Sequence, residues 1–210
     1  MPRRALRRIN DSFDYSHHLF LVKELQQPWD AAKFFANPDA PLEVELGSGK
    51  GQFIHDAALA NPDHNFLGIE IAHKYAAYCA ARLIEANVPN ACMFSGDGLV
   101  LFKEYFPENS LEAVHVYFPD PWWKKRHRKR RVMQMELVRC CERCLVSGGK
   151  LHFWTDVEEY FTTALEMMKA ESVLEGPFEP NVEEGVWRTH FEKRTVIEGR
   201  PVFRSYFVKK

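Results

Sequence analysis

The chain of 210 residues is long enough for one domain with a substantial core, and 46% apolar with 27% charged residues is an ordinary globular composition. Its 28 Lys and Arg nearly balance its 29 Asp and Glu, and a formal net charge of -1 excludes a protein that coats nucleic acid by bulk charge. No apolar run approaches the roughly 18 residues of a membrane span, and the basic amino terminus carries no apolar signal core, which predicts a cytoplasmic protein without membrane contact.

Residues 1 to about 40 read as a polar, partly flexible arm with a weak basic cluster at Arg3, Arg4, Arg7 and Arg8, and residues 41–210 as one folded domain. Leu42–Leu46 predicts a short buried strand that runs into Glu45-Leu46-Gly47-Ser48-Gly49-Lys50-Gly51 and then a helix near Lys50–Ala60. His64–Ile71 predicts the next strand, Lys74–Ala86 a helix and Ala91–Ser95 a third strand. Leu111–Phe118, an apolar-rich run, predicts a fourth strand buried on both faces. A helix over about Val132–Val146 is expected to stop at Ser147-Gly148-Gly149. Lys150–Thr155 then predicts a fifth strand and Val157–Ala170 a helix. Trp187–Val196 and Val202–Val208 alternate apolar and polar residues around Gly199 and Pro201, which predicts two final strands, one of them antiparallel. Repeated strand–helix units of this kind build a mostly parallel sheet with helices on both faces.

Five cysteines are present, three of them (Cys140, Cys141 and Cys144) on one helical pattern. Cys141-x-x-Cys144 has neither a second such pair nor histidines at zinc spacing, so reduced core or interface thiols are expected and no metal site.

Acids stand at the ends of successive strands. Glycines at 47, 49 and 51 let the backbone turn tightly against a ligand, but their spacing is not the dinucleotide Gly-x-Gly-x-x-Gly. Glu45 beside them would repel a pyrophosphate and accept from an ammonium. Glu70, 19 positions after Gly51, sits where α/β folds hold ribose hydroxyls. Asp97 ends the third strand, placed to accept from an adenine amine. A ligand with an ammonium, a ribose and an adenine but no phosphate is S-adenosylmethionine, with Glu45, Gly47, Gly49, Glu70, Asp97 and Asp120 as its expected contacts.

Phe118-Pro119-Asp120-Pro121-Trp122-Trp123 follows the fourth strand, and seven of the eight positions 124–131 are Lys or Arg. The prolines fix backbone angles and remove two N–H donors, so the segment neither prolongs the strand nor begins a helix. An acid with flat aromatics can orient a planar base, and Lys124, Lys125, Arg126, Arg128, Lys129, Arg130 and Arg131 suit a phosphate backbone. The combination points to chemistry on a nucleobase.

These motifs, with Gly68-Ile69-Glu70, Gly96-Asp97, Thr155-Asp156 and Thr189-His190-Phe191-Glu192-x-Arg194, resemble the tRNA (guanine-N7)-methyltransferase family in its bacterial single-chain type from about residue 40 onward. Three features depart from the family's usual pattern: Trp123, Thr195 after Arg194, and a shorter segment around 171–186. The resemblance implies a class I S-adenosylmethionine-dependent methyltransferase fold, with a seven-stranded mostly parallel sheet and one antiparallel strand. It implies methyl transfer to N7 of guanine 46 in the tRNA variable loop, with Asp120 catalytic and Lys124, Asp156, Thr189, His190, Phe191 and Glu192 at the substrate. Asp156 or Glu192 would accept from the guanine N1–H and exocyclic amine. No obligatory protein partner is expected, and the protein would act as a monomer or homodimer. Rival readings are an amino-group nucleobase methyltransferase, which would lack the basic run, and a non-catalytic RNA-binding module, which would not need the strand-end acids.

Overall fold

The structure, a computed structural model, describes residues 6–10, 12–182 and 188–210. Three strands are buried along nearly their whole length: β3 (Asn65–Glu70), β4 (Ala91–Ser95) and β5 (Leu111–Tyr117). With β1 (Leu19–Leu21), β2 (Leu42–Leu46), β6 (Leu145–Thr155), β7 (Glu175–Phe178) and β8 (Phe203–Val208) they form one sheet in the order β1-β4-β3-β2-β5-β6-β8-β7. Among the described strands β8 alone runs against the direction of the others. Described strands therefore number eight, not the seven expected, because Leu19–Leu21 from the arm adds to the free edge of β4.

The period-2 alternation of strands sorts side chains onto two faces. Val44, Leu67, Ile69, Val114, Val116, Leu151 and Phe153 meet α4 (Met135–Cys144) and α5 (Glu158–Glu171) in the larger core. Phe66, Tyr117 and Trp154 turn to the other face, against α1 (Gln52–Ala60) and α2 (His73–Glu85). On α4 the buried residues Leu137, Val138, Cys141 and Cys144 make one apolar stripe, so these two cysteines fill core volume as free thiols. A short α3 (Gly98–Val100) continues as a π-helical turn over Leu101–Tyr105.

Two expected elements take a different form. α4 ends at Cys144, ahead of the Ser-Gly-Gly stop signal, because Leu145 already pairs with Leu111. His190–Ile197 is a helix, α6, where a strand was expected; Trp187 of that expected strand lies outside the described residues. A capping box makes the helix: Thr189 Oγ1 accepts from Glu192 N (3.0 Å), and Glu192 Oε2 reaches back to Arg188 N (2.7 Å). Its place in the sheet falls to β7, from a stretch for which no strand was expected. Among the described residues no helix is long and apolar enough to cross a membrane.

Candidate active site

β2 lies between β3 and β5, so the chain leaves it in opposite directions and opens a crevice at the strands' carboxyl ends. One side is the glycine-rich loop, where Gly47, Gly49 and Gly51 each take a left-handed backbone angle (φ 87°, 56° and 66°). Alternate glycines are thus a requirement of the turn. At Gly51 a Cβ would also lie 2.6 Å from Cys79 Sγ. Glu70 holds this loop down, since its Oε2 accepts from Gly49 N at 2.9 Å and its Oε1 from Ala72 N at 2.9 Å.

Glu45 is buried beside the loop, and its Oε2 has no hydrogen-bond partner among the described residues. Burial pushes its carboxyl up to about 8, opposed by a hydrogen bond from Ser48 and reinforced by the charge of Glu70. Asp97 caps α3, its Oδ1 accepting from Leu99 N at 2.9 Å. Next to it a cleft of ≈ 710 Å³ is walled by Ser95, Gly96, His73 and, from the arm, Leu21, Val22 and Lys23.

The other side of the crevice is the Phe118–Trp122 turn. Phe118 and Trp122 both sit at positive φ (48° and 45°), which costs on the order of 1–2 kcal/mol each and marks a backbone held by its surroundings. The holder is Arg131. Its Nε donates to the Pro121 carbonyl at 2.9 Å, its Nη2 pairs with Glu159 at 2.6 Å, and its guanidinium lies 4.4 Å from the Tyr160 ring. Arg131, expected to grip phosphate, is buried and braces the turn. Of its neighbours, Arg128 shares Glu159 (3.2 Å) and Arg130 lies over the Trp122 ring (5.0 Å). Lys124, Lys125, Arg126 and Lys129 are exposed and make no ion pair among the described residues. Asp120 is exposed at the apex of the turn.

α6 closes the crevice from above. Phe191, 57% exposed, stacks on Phe118 with ring centroids 6.3 Å apart. His190 is exposed; burial, then the charges of Arg82 and Lys50, lower its affinity for a proton. Glu192 does not face the crevice: it is fully buried and its Oε1 is held by Arg204 (Nε 3.1 Å, Nη2 2.9 Å). Asp156, at the end of β6, pairs with Arg200 and does not cap α5. The structure thus brings Glu45, Glu70, Asp97 and the Asp120 turn to one sheet edge, with Phe191 over the turn, and gives Glu192, Thr189 and Arg131 structural contacts.

A family described as "Putative methyltransferase" matches residues 39–205. A Rhodopirellula baltica protein named tRNA (guanine-N(7)-)-methyltransferase is 44% identical over 220 residues, covering 100% of this chain and 81% of its own. A Legionella pneumophila protein of the same name is 36% identical over 188 residues (87% and 83%). The chain belongs to the tRNA (guanine-N7)-methyltransferase family. Solved structures agree on the fold of this methyltransferase. The antibiotic-resistance methyltransferase Kmr superposes with a TM-score of 0.60 at 16% identity, covering 89% of this chain and 95% of its own. The precorrin-6y C5,15-methyltransferase of Geobacter metallireducens gives 0.56 at 14% (81% and 82%).

The family's cofactor is S-adenosylmethionine, and the residues present fit it. An orphaned, buried carboxylate oxygen at Glu45 is the acceptor an ammonium requires, and the loop glycines leave backbone room beside it. A pH dependence follows. Glu45 is mostly protonated below pH 8 in the unliganded methyltransferase and must ionise to receive an ammonium. Between pH 6 and 7, where the cofactor's own amine stays charged, affinity is expected to rise about tenfold per pH unit with uptake coupled to release of about one proton. Calorimetry of S-adenosylhomocysteine binding in buffers of different ionisation enthalpy reads that proton. A flat affinity across the window would show that Glu45 is already ionised.

Proposed function

We propose that this protein transfers a methyl group from S-adenosylmethionine to N7 of guanine 46 in the tRNA variable loop. The observation that carries the reading is the braced Phe118–Trp122 turn. It presents Asp120 across the crevice from Glu45 and the glycine-rich loop, with an exposed cationic run leading away from it.

When bound, the cofactor supplies an electrophilic methyl on a sulfonium. Glu45 takes its ammonium, Glu70 its ribose hydroxyls and Asp97 its adenine amine, while Gly47 and Gly49 let the backbone approach. Guanine N7 already offers an in-plane lone pair, so no residue has to remove a proton. Positive charge develops on the purine instead, and Asp120, fixed beside it, stabilises that change electrostatically. Phe191 and the turn's aromatics orient the base so that nucleophile and methyl meet in line. Asp156 at the crevice edge accepts from the guanine's Watson–Crick edge once Arg200 yields it. Lys124, Lys125, Arg126 and Lys129 grip phosphates, with Arg128 and Arg130 reinforcing them. Residues 41–210 act as the methyltransferase domain, and the end of the 1–40 arm closes the cleft beside Asp97. The protein works in the cytoplasm without an obligatory partner subunit, as a monomer or homodimer.

The test is methylation of unmodified tRNA transcripts bearing guanine or adenine at position 46, mapped by borohydride–aniline cleavage at 7-methylguanosine. Guanine-dependent cleavage at that position is expected; methylation elsewhere would make it another base methyltransferase, and tRNA binding without methylation would favour a non-catalytic module. Neutralising Arg128, Lys129 and Arg130 together is expected to weaken tRNA binding and lower the salt slope by about two to three charges. Filter binding between low and moderate salt measures this, and an unchanged slope would leave the run a solvated face.

A further inference from the structure

Beneath the Phe118 turn a file of polar side chains crosses the α1–α2 face of the sheet. Glu43 binds His64 (Nδ1–Oε1 2.8 Å) and His115 (Nε2–Oε2 2.7 Å). His115 Nδ1 lies 2.9 Å from Tyr117 Oη, and Arg188 Nη1 donates to the same hydroxyl at 3.4 Å. The directions of these bonds are determined. Burial raises the Glu43 carboxyl, but it stays below its ordinary range because His115 and His64 both hydrogen-bond to it, so Glu43 is ionised. Burial lowers His115 against the opposing pull of Glu43, so its ring is neutral. A neutral ring facing a carboxylate at Nε2 carries its proton there and accepts at Nδ1. Tyr117 must then donate to His115, which leaves its lone pairs for Arg188. Each bond fixes the next, from Glu43 up to a guanidinium.

That guanidinium is seated as well as tethered. Its carbon lies 5.4 Å from the Trp154 ring and 5.9 Å from the Phe53 ring. Phe53 belongs to the first turn after the glycine-rich loop, and the Trp154 carbonyl accepts from Phe118 N, so Arg188 stands between the two sides of the crevice. Among the described residues it has no carboxylate partner: Glu192 takes only its backbone N–H and gives its other oxygen to Arg204. The charges of Arg82, Lys50 and Lys193 act on His190, two residues on, and outweigh the opposing charge of Asp56. An exposed planar fork laid over two rings, tethered at one hydroxyl and without a carboxylate partner among the described residues, is available to an anion from outside.

We propose that Arg188 is an anion-holding residue of the reaction, its guanidinium oriented by the Glu43–His115–Tyr117 file to grip a carboxylate or phosphate group beside the methyl-transfer site. The proposal rests on the methyltransferase reading. Two sources carry that chemistry: the carboxylate of the cofactor's methionine part, and a backbone phosphate next to the presented guanosine. The purine itself is not the target, because a cation there would oppose the charge that N7 acquires.

The test compares Arg188→Gln, Arg188→Lys and Tyr117→Phe with the parent, by calorimetry with S-adenosylhomocysteine alone and by filter binding with unmodified tRNA alone. Arg188→Gln is expected to weaken one of the two ligands by about tenfold or more and leave the other unchanged. Tyr117→Phe is expected to weaken that same ligand by a few-fold while staying folded, with a melting temperature lower by a few degrees because the buried His115 Nδ1 loses its donor. Selective loss of S-adenosylhomocysteine assigns the cofactor's carboxylate. Selective loss of tRNA, with a salt slope smaller by about one, assigns a phosphate. Arg188→Lys keeps the charge without the fork, is expected to recover part of the loss, and serves as the decisive variant if Arg188→Gln does not fold. A folded Arg188 variant that binds both ligands as the parent does overturns the proposal. A parent that binds neither ligand overturns the methyltransferase reading with it, a pattern no variant effect can imitate.

Discussion

Asp120→Ala is expected to lower kcat by about 100- to 1000-fold while tRNA affinity changes little and cofactor affinity falls only a few-fold, the loss in kcat seen when one preorganised electrostatic group is taken from a reacting centre. The expectation follows from where the carboxylate sits. Asp120 is at the exposed apex of a turn whose shape is imposed by others: prolines on both sides, left-handed Phe118 and Trp122, and the Arg131 bond to the Pro121 carbonyl. Removing the carboxylate therefore leaves the turn standing. Single-turnover methylation at saturating tRNA and cofactor isolates the chemical step from binding. Asp120→Asn, which keeps the shape and drops the charge, is expected to lose nearly as much. Near-normal turnover in both variants would remove Asp120 from the chemistry and reduce the turn to a scaffold.

A loss of about 3 kcal/mol of stability is expected for Glu192→Gln, at the lower end of the cost of breaking a buried ion pair because Arg204 keeps some contact with water. For a chain of this size that is a melting temperature lower by about 6–12 °C. Glu192 is 0% exposed and satisfies two arginine N–H groups and the Arg188 backbone N–H, so an amide in its place turns a donor toward donors. Thermal unfolding without ligands measures this effect in isolation. A variant that melts like the parent yet no longer methylates would instead put Glu192 in contact with guanine, and would require α6 to rearrange when tRNA binds.

The legible part of this protein is the part that local physics dictates. Leu42–Leu46, Ala91–Ser95 and most of Leu111–Phe118 are short apolar runs bounded by turn residues, and they are strands because nothing competes with that outcome. The acids at their ends inherit their position from the strands. A strand is expected at α6 because its apolar and polar residues fit a period of two as well as a helical one. Thr189-x-x-Glu192 was the sequence signal that separates the two. β7 gave no signal at all: its four residues are exposed and include a glycine and a proline, and pairing with β8 alone makes it a strand. Arg131 cannot be told from its six cationic neighbours by composition, since what distinguishes it is burial against the Tyr160 ring and the bond to the Pro121 carbonyl. The Glu43–His115 bond spans 72 positions and likewise exists only once the sheet has formed.

The placement of the two outer strands sets an order of events during synthesis. β1 pairs only with β4, and Leu19 waits for Met93, 74 positions later in the chain. β7 emerges before β8 yet has no neighbour until β8 slides between it and β6. The nascent chain thus holds two strands in reserve, and until β8 arrives β6 offers an unpaired, sticky edge. β8 also carries Arg204, the residue that anchors Glu192 and with it the roof over the crevice. Pairing of β8 and anchoring of that roof are therefore one event, and a change that loosens β8 is expected to reach the crevice through Arg204.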